Sequence, residues 1–235
     1  MILSEIDRGY MLNFQCNDIT KIRAKVIVSS NSLDKTIGDH IDNRIFREAG
    51  IKVKNEYLKK IHFRKLDYDT LIHTSGGSLC DEIYYVYSPS ITTSNYKKIL
   101  TKIYLNILTR FIKTTKLRGN IQYNSQKTLA VPLLGTGRNK ISTWDSAKIL
   151  QNAYYKVLRD NPQIEKYEII GVFYTLSEYF YWITGEHKST MDILGYKHLK
   201  IPQKDVKITI YGGLKECQIS SLYIPYQGSI ILERI

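Results

Sequence analysis

The sequence predicts an α/β fold, a three-layer α/β/α sandwich around a mixed central sheet, followed by a β-rich C-terminal extension. Three observations carry this reading. Six short runs rich in β-branched and aromatic residues are bounded by turn residues; apolar residues recur at helical spacing between them; and the helical period disappears after Gly185.

The strand runs fall at 11–15, 24–29, 70–73, 84–87, 128–134 and 167–174. Several are almost wholly apolar, the mark of strands covered by helices on both faces, so the sheet belongs at the centre of the molecule. Helices are expected at about 39–48 and 52–61. Two longer ones follow from the faces made by Leu100, Ile103, Ile107 and Phe111, and by Ala147, Leu150, Tyr154 and Val157. Ser142 or Thr143 is the expected N-cap of the last helix, with Asp145 in its first turn, where an acid suits the dipole. Residues 1–187 read as the α/β domain. Residues 188–235 read as the extension, with strand runs at 206–211, 220–224 and 229–232 between Gly-Gly, Pro and Gln-Gly turn signals. Under fifty residues is too little to hold a core alone, so the extension is expected to pack on the main domain.

A chain of 235 residues, 43% of them hydrophobic, buries a full core and is not disordered. No apolar run is long enough to cross a bilayer, and the segment MILSEIDRGY lacks the basic-then-apolar layout of a signal peptide, so the expected location is the cytoplasm. Cys16, Cys80 and Cys217 are odd in number and far apart, which suggests neither a disulfide framework nor a zinc site. Nothing in the sequence requires a metal or other cofactor. The excess of 34 Lys and Arg over 22 Asp and Glu, a net +12, favours anionic partners. The basic residues cluster at 52–65, 97–118 and 197–207 without the interleaved aromatics of an RNA-binding face. Solvated helix surfaces are therefore preferred to nucleic-acid binding.

The densest chemical signal is the segment beginning at Pro132, PLLGTGRNKISTWDSAKIL, in which an apolar strand enters Gly135-Thr136-Gly137 and then an amphipathic helix. Backbone N–H groups in such a turn can converge on one anion, and glycine admits a ligand where a Cβ would block it. Such a turn between strand and helix is also a common tight connection, and it gains meaning from three segments upstream. Asp18 stands at a strand-to-helix turn, where a carboxylate can accept from the exocyclic amine of adenine or simply cap the turn. Asn31 ends the second strand with an amide that both donates to and accepts from ribose hydroxyls. Gly38 leads into a helix start where the dipole favours an anion, and Asp42 lies in that helix's first turn.

Taken in order, Cys16-Asn17-Asp18-Ile19-Thr20, the strand and turn AKVIVSSNS ending at Ser32, the segment from Gly38 to Phe46 with Ala49-Gly50 after it, and the loop from Ala130 to Gly137 resemble the macrodomain family. The resemblance covers about residues 10–185. It implies an ADP-ribose-binding α/β/α module in which Asp18 takes the adenine amine, Ile19 packs against the base, and Gly38 with Gly135, Thr136, Gly137 and Arg138 meets the diphosphate. It further implies that Asn31 and Tyr174 face the distal ribose and that Asp42 positions a water there. The family's run of glycines is here Gly38-Asp39-His40, so side chains replace backbone beside the phosphates. Two outcomes stay open: hydrolysis is abolished while binding is kept, or the pocket is tuned for a modified ADP-ribose whose extra group meets His40 or Asp39.

The implied partners are ADP-ribose or a related NAD-derived nucleotide, and ADP-ribosylated macromolecules. Three functions remain open at this point. One is an ADP-ribosyl hydrolase with Asn31 and Asp42 as its catalytic residues; another is a non-catalytic sensor or sequestering protein for NAD-derived signals in antiviral defence or counter-defence. The third is a poly(ADP-ribose) or nucleic-acid binder acting through its basic surface.

Overall fold

Alternation along each central strand sends successive side chains to opposite faces, and this divides the core in two. In the computed structural model, which describes residues 12–33, 40–117, 127–185, 206–210 and 230–234, β1 is Leu12–Cys16, β2 Val26–Asn31, β3 Leu71–Ser75, β4 Glu82–Tyr87, β5 Thr128–Pro132 and β6 Glu168–Phe173. The helices are α1 (His40–Ala49), α2 (Ile51–Ile61), α3 (Tyr96–Leu117), α4 (Thr143–Asp160) and α5 (Leu176–Thr184). Val26 and Val28 of β2, Tyr84 and Val86 of β4, and Leu129 and Val131 of β5 pack with α3 and α4 around Leu100, Tyr104, Phe111 and Tyr154. Ile27, Ile83, Tyr85, Tyr87 and Ala130 face the other way, onto Ile45 and Phe46 of α1 and Val53 and Tyr57 of α2. The expected three layers are therefore present, with every residue of β4 and β5 buried between them.

The strand order is β3-β4-β2-β5-β6-β1-β8-β7, where β7 is Val206–Ile210 and β8 Ile230–Arg234. Strands β4, β2, β5, β6 and β1 run parallel, whereas β3 is antiparallel to β4 and β8 antiparallel to β1. The sheet is mixed, as expected, and its C-terminal pair extends it beyond β1. The strand expected at 220–224 lies outside the described residues.

Two local features locate the ends of α4 and α5. Ser142 caps α4, its Oγ accepting from the Asp145 N–H at 3.0 Å. Ser142→Ala is expected to lower stability by about 1 kcal/mol, the usual worth of such a cap, as read by urea unfolding. Helix α5 is absent from the sequence expectations. It is short, and its aromatic run LSEYFYWIT reads equally well as a strand. Tertiary packing decides in its favour: Tyr179 donates to the Phe14 carbonyl of β1 at 2.7 Å, and the Trp182 ring packs tilted against Phe14 and edge-on against Trp144. Gly185, at φ 73°, then ends the helix in the left-handed region.

Candidate functional site

Five parallel strands end at the same edge of the sheet, and Asp18, Ile19, Asn31, Gly135, Thr136, Gly137, Arg138 and Tyr174 of the sequence-predicted residues stand along it, with Asp42 on the helix that follows β2. In α/β sheets ligands bind outside the carboxyl ends of parallel strands, so this edge is the place to examine. Along it stand, in order, Asp18 and Ile19 after β1, Tyr174 after β6, the loop 133–141 after β5, Asn31 at the end of β2 and Tyr87 at the end of β4.

At the β1 and β6 end, Asp18 caps a single 3-10 turn (Ile19–Lys21). Its Oδ1 accepts from the Thr20 N–H at 2.9 Å and from the Thr20 hydroxyl at 2.8 Å. Its Oδ2 accepts from Arg44 Nη1 of α1 at 3.3 Å. The Arg44 guanidinium also lies over the Tyr174 ring, 5.6 Å from its centroid. Asn17, Ile19, Ile41, Pro132 and Val172 complete the walls of a slot of only about 20 Å³. The expectation that Tyr174 faces the distal ribose is corrected here. Tyr174, 50% exposed, shares its slot with Asp18 and Ile19 at the end of the groove away from Asn31. The reason is the strand order, since β6 neighbours β1 and is separated from β2 by β5.

The loop after β5 is held from several sides. Leu134 N–H donates to the buried Tyr104 hydroxyl at 2.8 Å, and Ser146 Oγ donates to the Leu134 carbonyl at 2.9 Å. With that proton spent, the 2.7 Å bond between Tyr104 and Ser146 takes its proton from Tyr104, closing a cycle around Leu134. Asn139 Nδ2 donates to the Ser88 carbonyl at 2.7 Å and fastens the loop to the end of β4. Ile141 N–H donates to the Gly135 carbonyl and Lys140 N–H to the Gly137 carbonyl, each at 3.0 Å. The N–H groups of Gly135, Thr136 and Gly137 donate to none of the described residues, which leaves them for an anion. The Thr136 hydroxyl is different: it donates to the Leu133 carbonyl at 2.9 Å, so its proton is committed. Gly137 and Arg138 are exposed.

Asn31 and Asp42, expected to act together, are brought together. Asp42 is 1% exposed, and Ser29 Oγ donates to its Oδ1. The Asn31 amide places its nitrogen toward Asp42, donating to Oδ1 at 3.1 Å and also to Oδ2, while its oxygen accepts from the Tyr57 hydroxyl at 2.8 Å. The opposite orientation would set the amide oxygen against a carboxylate, acceptor on acceptor. Because Tyr57 spends its one proton on Asn31, the 2.9 Å bond between the Tyr57 and Tyr87 hydroxyls is donated by Tyr87. Donors thus run from Tyr87 to Tyr57 to Asn31 to Asp42. Burial, with the Asp42 charge adding to it, pushes the Tyr57 phenol far above its usual range, so that proton stays in place at any physiological pH.

Beside this chain lies a cavity of about 460 Å³, walled by Ser32, Phe46, Leu58, Ile61, His62 and Leu66 as well as the four polar residues. Gly38 lies outside the described residues, and His40 is placed only as the first residue of α1.

Arg44, Tyr57, Tyr87 and Asn139 were not anticipated as site residues. Arg44 had a signal: it is three positions beyond Ile41 and so shares a helix face with it toward Asp18. Tyr57 and Tyr87 sit in apolar patterns that mark them only as core. Among the described residues no cluster of three or more His, Cys, Asp or Glu is placed to hold a metal ion, and no helix is long and apolar enough to cross a membrane.

No protein-family model matches the sequence, and neither does any curated protein. Solved structures do match. The Oceanobacillus iheyensis macrodomain with ADP is similar at TM-score 0.58 and 21% identity, over 73% of this chain and 87% of that one. The Trypanosoma brucei macrodomain in complex with ADP-ribose is similar at 0.59 and 16%, over 73% and 67%. The macro domain of ganglioside induced differentiation associated protein 2 is similar at 0.56 and 14%, over 68% and 75%. With the central parallel strands, the layered helices and these similarities all in agreement, the chain has the macrodomain fold.

Proposed function

We propose that this protein binds ADP-ribose or a close NAD-derived nucleotide, laid along the carboxyl ends of β1, β6, β5 and β2. The observation that carries the reading is the order of the chemistry along that edge. A carboxylate beside an aromatic face stands at β1 and β6, unpartnered loop amides follow β5, and a sugar-sized polar set of Asn31 and Asp42 ends β2. Three strand spacings separate β1 from β2, about 14 Å, which an adenosine diphosphate with a second sugar spans. Solved macrodomains with ADP and ADP-ribose bound support the same ligand class.

In this reading Asp18 Oδ2 accepts from the adenine amine while Tyr174 and Ile19 sandwich the base. The slot is too small for a base as it stands, because the planar Arg44 guanidinium occupies the Tyr174 face. Binding therefore displaces Arg44. The amides of Gly135, Thr136 and Gly137 take the diphosphate.

Binding without turnover is the reading preferred for Asp42. Its oxygens already accept from Ser29 and Asn31 and it is almost wholly buried, which leaves it poorly placed to take a proton from water. The protein is thus a reader or sequestering protein for such nucleotides. Release of ADP-ribose from a modified substrate by the wild-type protein would overturn that half of the proposal.

Titration calorimetry tests the binding half. Saturable one-to-one binding of ADP-ribose is expected, weakened about 10- to 100-fold by Asp18→Ala, the worth of one charged hydrogen bond. Circular dichroism checks that the variant folds, since Asp18 also caps a turn. Equal affinity in the two proteins would remove Asp18 from the site.

A further inference from the structure

The cavity beside Asn31 is larger than a sugar fills. At about 460 Å³ it lies in the range of sites that enclose a drug-sized ligand, and it continues past β2 to the end of β4, one strand spacing beyond where the proposed nucleotide stops. Resting on the nucleotide reading above, we infer that this cavity takes a planar heterocycle joined to the distal ribose, so that the preferred ligand is a dinucleotide, an ADP-ribose capped by a base, and not free ADP-ribose.

The lining selects that chemistry. Leu58, Ile61 and Leu66 make apolar walls with Phe46, whose ring packs against Tyr57 at 5.5 Å and against Tyr85 and so is held in place; rigid apolar walls suit the faces of a flat ring. Asn31, Asp42, Tyr57 and Tyr87 form a hydrogen-bonded row along the wall, and Ser32 and His62 add polar atoms to the lining. Apolar walls beside a buried carboxylate tolerate both a neutral purine and a cationic pyridinium. The shared requirement is a flat ring on the sugar.

The test is titration calorimetry of the full chain with three probes: ADP-ribose, NAD+ and diadenosine diphosphate. At least one capped dinucleotide is expected to bind about ten-fold or more tighter than ADP-ribose. Leu58→Trp, which fills the cavity, is expected to bring the ratio to about one, with Ile61→Trp as the alternative should the first variant fail to fold. A preference for NAD+ assigns a pyridine and a preference for diadenosine diphosphate a purine. ADP-ribose binding as tightly as both dinucleotides, or tighter, overturns the inference while leaving the nucleotide reading intact. A preference that survives both tryptophan variants also overturns it, by placing the cap elsewhere. No binding of any probe overturns the nucleotide reading, and the inference with it.

Discussion

Replacing Asp42 by alanine is expected to lower the unfolding free energy by about 2–6 kcal/mol, the cost of leaving two buried donors without their acceptor at about 1–3 kcal/mol each. The Ser29 hydroxyl and the Asn31 amide both donate to this carboxylate from β2, while Asp42 sits in the first turn of α1. It therefore fastens α1 to the central sheet at the edge where the groove runs. Without it, Ser29, which is wholly buried, keeps a donor with no acceptor from Asp42, and the Asn31 amide loses the partner that sets its orientation. A favourable interaction with the N-terminal half-charge of α1 is lost as well. Asp42→Asn keeps the volume and one acceptor oxygen but turns an NH2 toward existing donors, so an intermediate loss of about 1–3 kcal/mol is expected. Urea unfolding followed by tyrosine and tryptophan fluorescence ranks the three proteins. An alanine variant within about 1 kcal/mol of wild type would show that the donor chain from Tyr87 does not end on this carboxylate.

How much of this arrangement was legible in the sequence depends on the kind of interaction. The six central strands match their expected positions to within a residue or two, because β4 and β5 are buried throughout and their apolar runs have no other reading of that length between turn signals. The two long helices were equally legible from their apolar faces, and Ser142 from its capping position. Helix α5 was not, because packing against Phe14 and Trp144 overrides a local composition that favours a strand.

The candidate site divides in the same way. Asp18, Asn31, Asp42 and the glycine loop stand on short segments whose order along the chain resembles the macrodomain family, so the sequence points to them although each residue alone reads as an ordinary turn or cap. The partners that fix their orientation come from elsewhere in the chain: Tyr57 lies 26 positions from Asn31, and Asn139 lies 51 from Ser88. A tyrosine hydroxyl that completes a hydrogen-bond chain looks, in sequence, like any core tyrosine. The role expected of Tyr174 failed for a topological reason, since chain order does not reveal that β6 lies beside β1.

Gly135→Val is expected to lower stability by about 3 kcal/mol or more and ADP-ribose affinity by about 100-fold. Gly135 holds φ 77°, a region that a β-branched residue enters only with strain. The added Cβ would also stand 2.6 Å from Ile141 Cδ1 and 3.3 Å from the Pro89 carbonyl oxygen. A flexible side-chain end can usually yield, but Ile141 is buried in the core cluster under α4, and its own N–H donates to Gly135, so moving it moves the loop. Relief must therefore come from the backbone that carries the N–H groups proposed to hold the diphosphate, which couples the stability loss to the binding loss. Gly137 supplies the comparison within the same loop. Its φ is not positive, a Cβ added there would meet nothing within 4 Å, and Gly137→Ala is expected to stay within about 0.5 kcal/mol of wild type in stability. Urea unfolding of both variants and calorimetry with ADP-ribose decide the matter. If the valine variant matched wild type in affinity after confirmed loss of stability, the diphosphate would have to sit away from this loop.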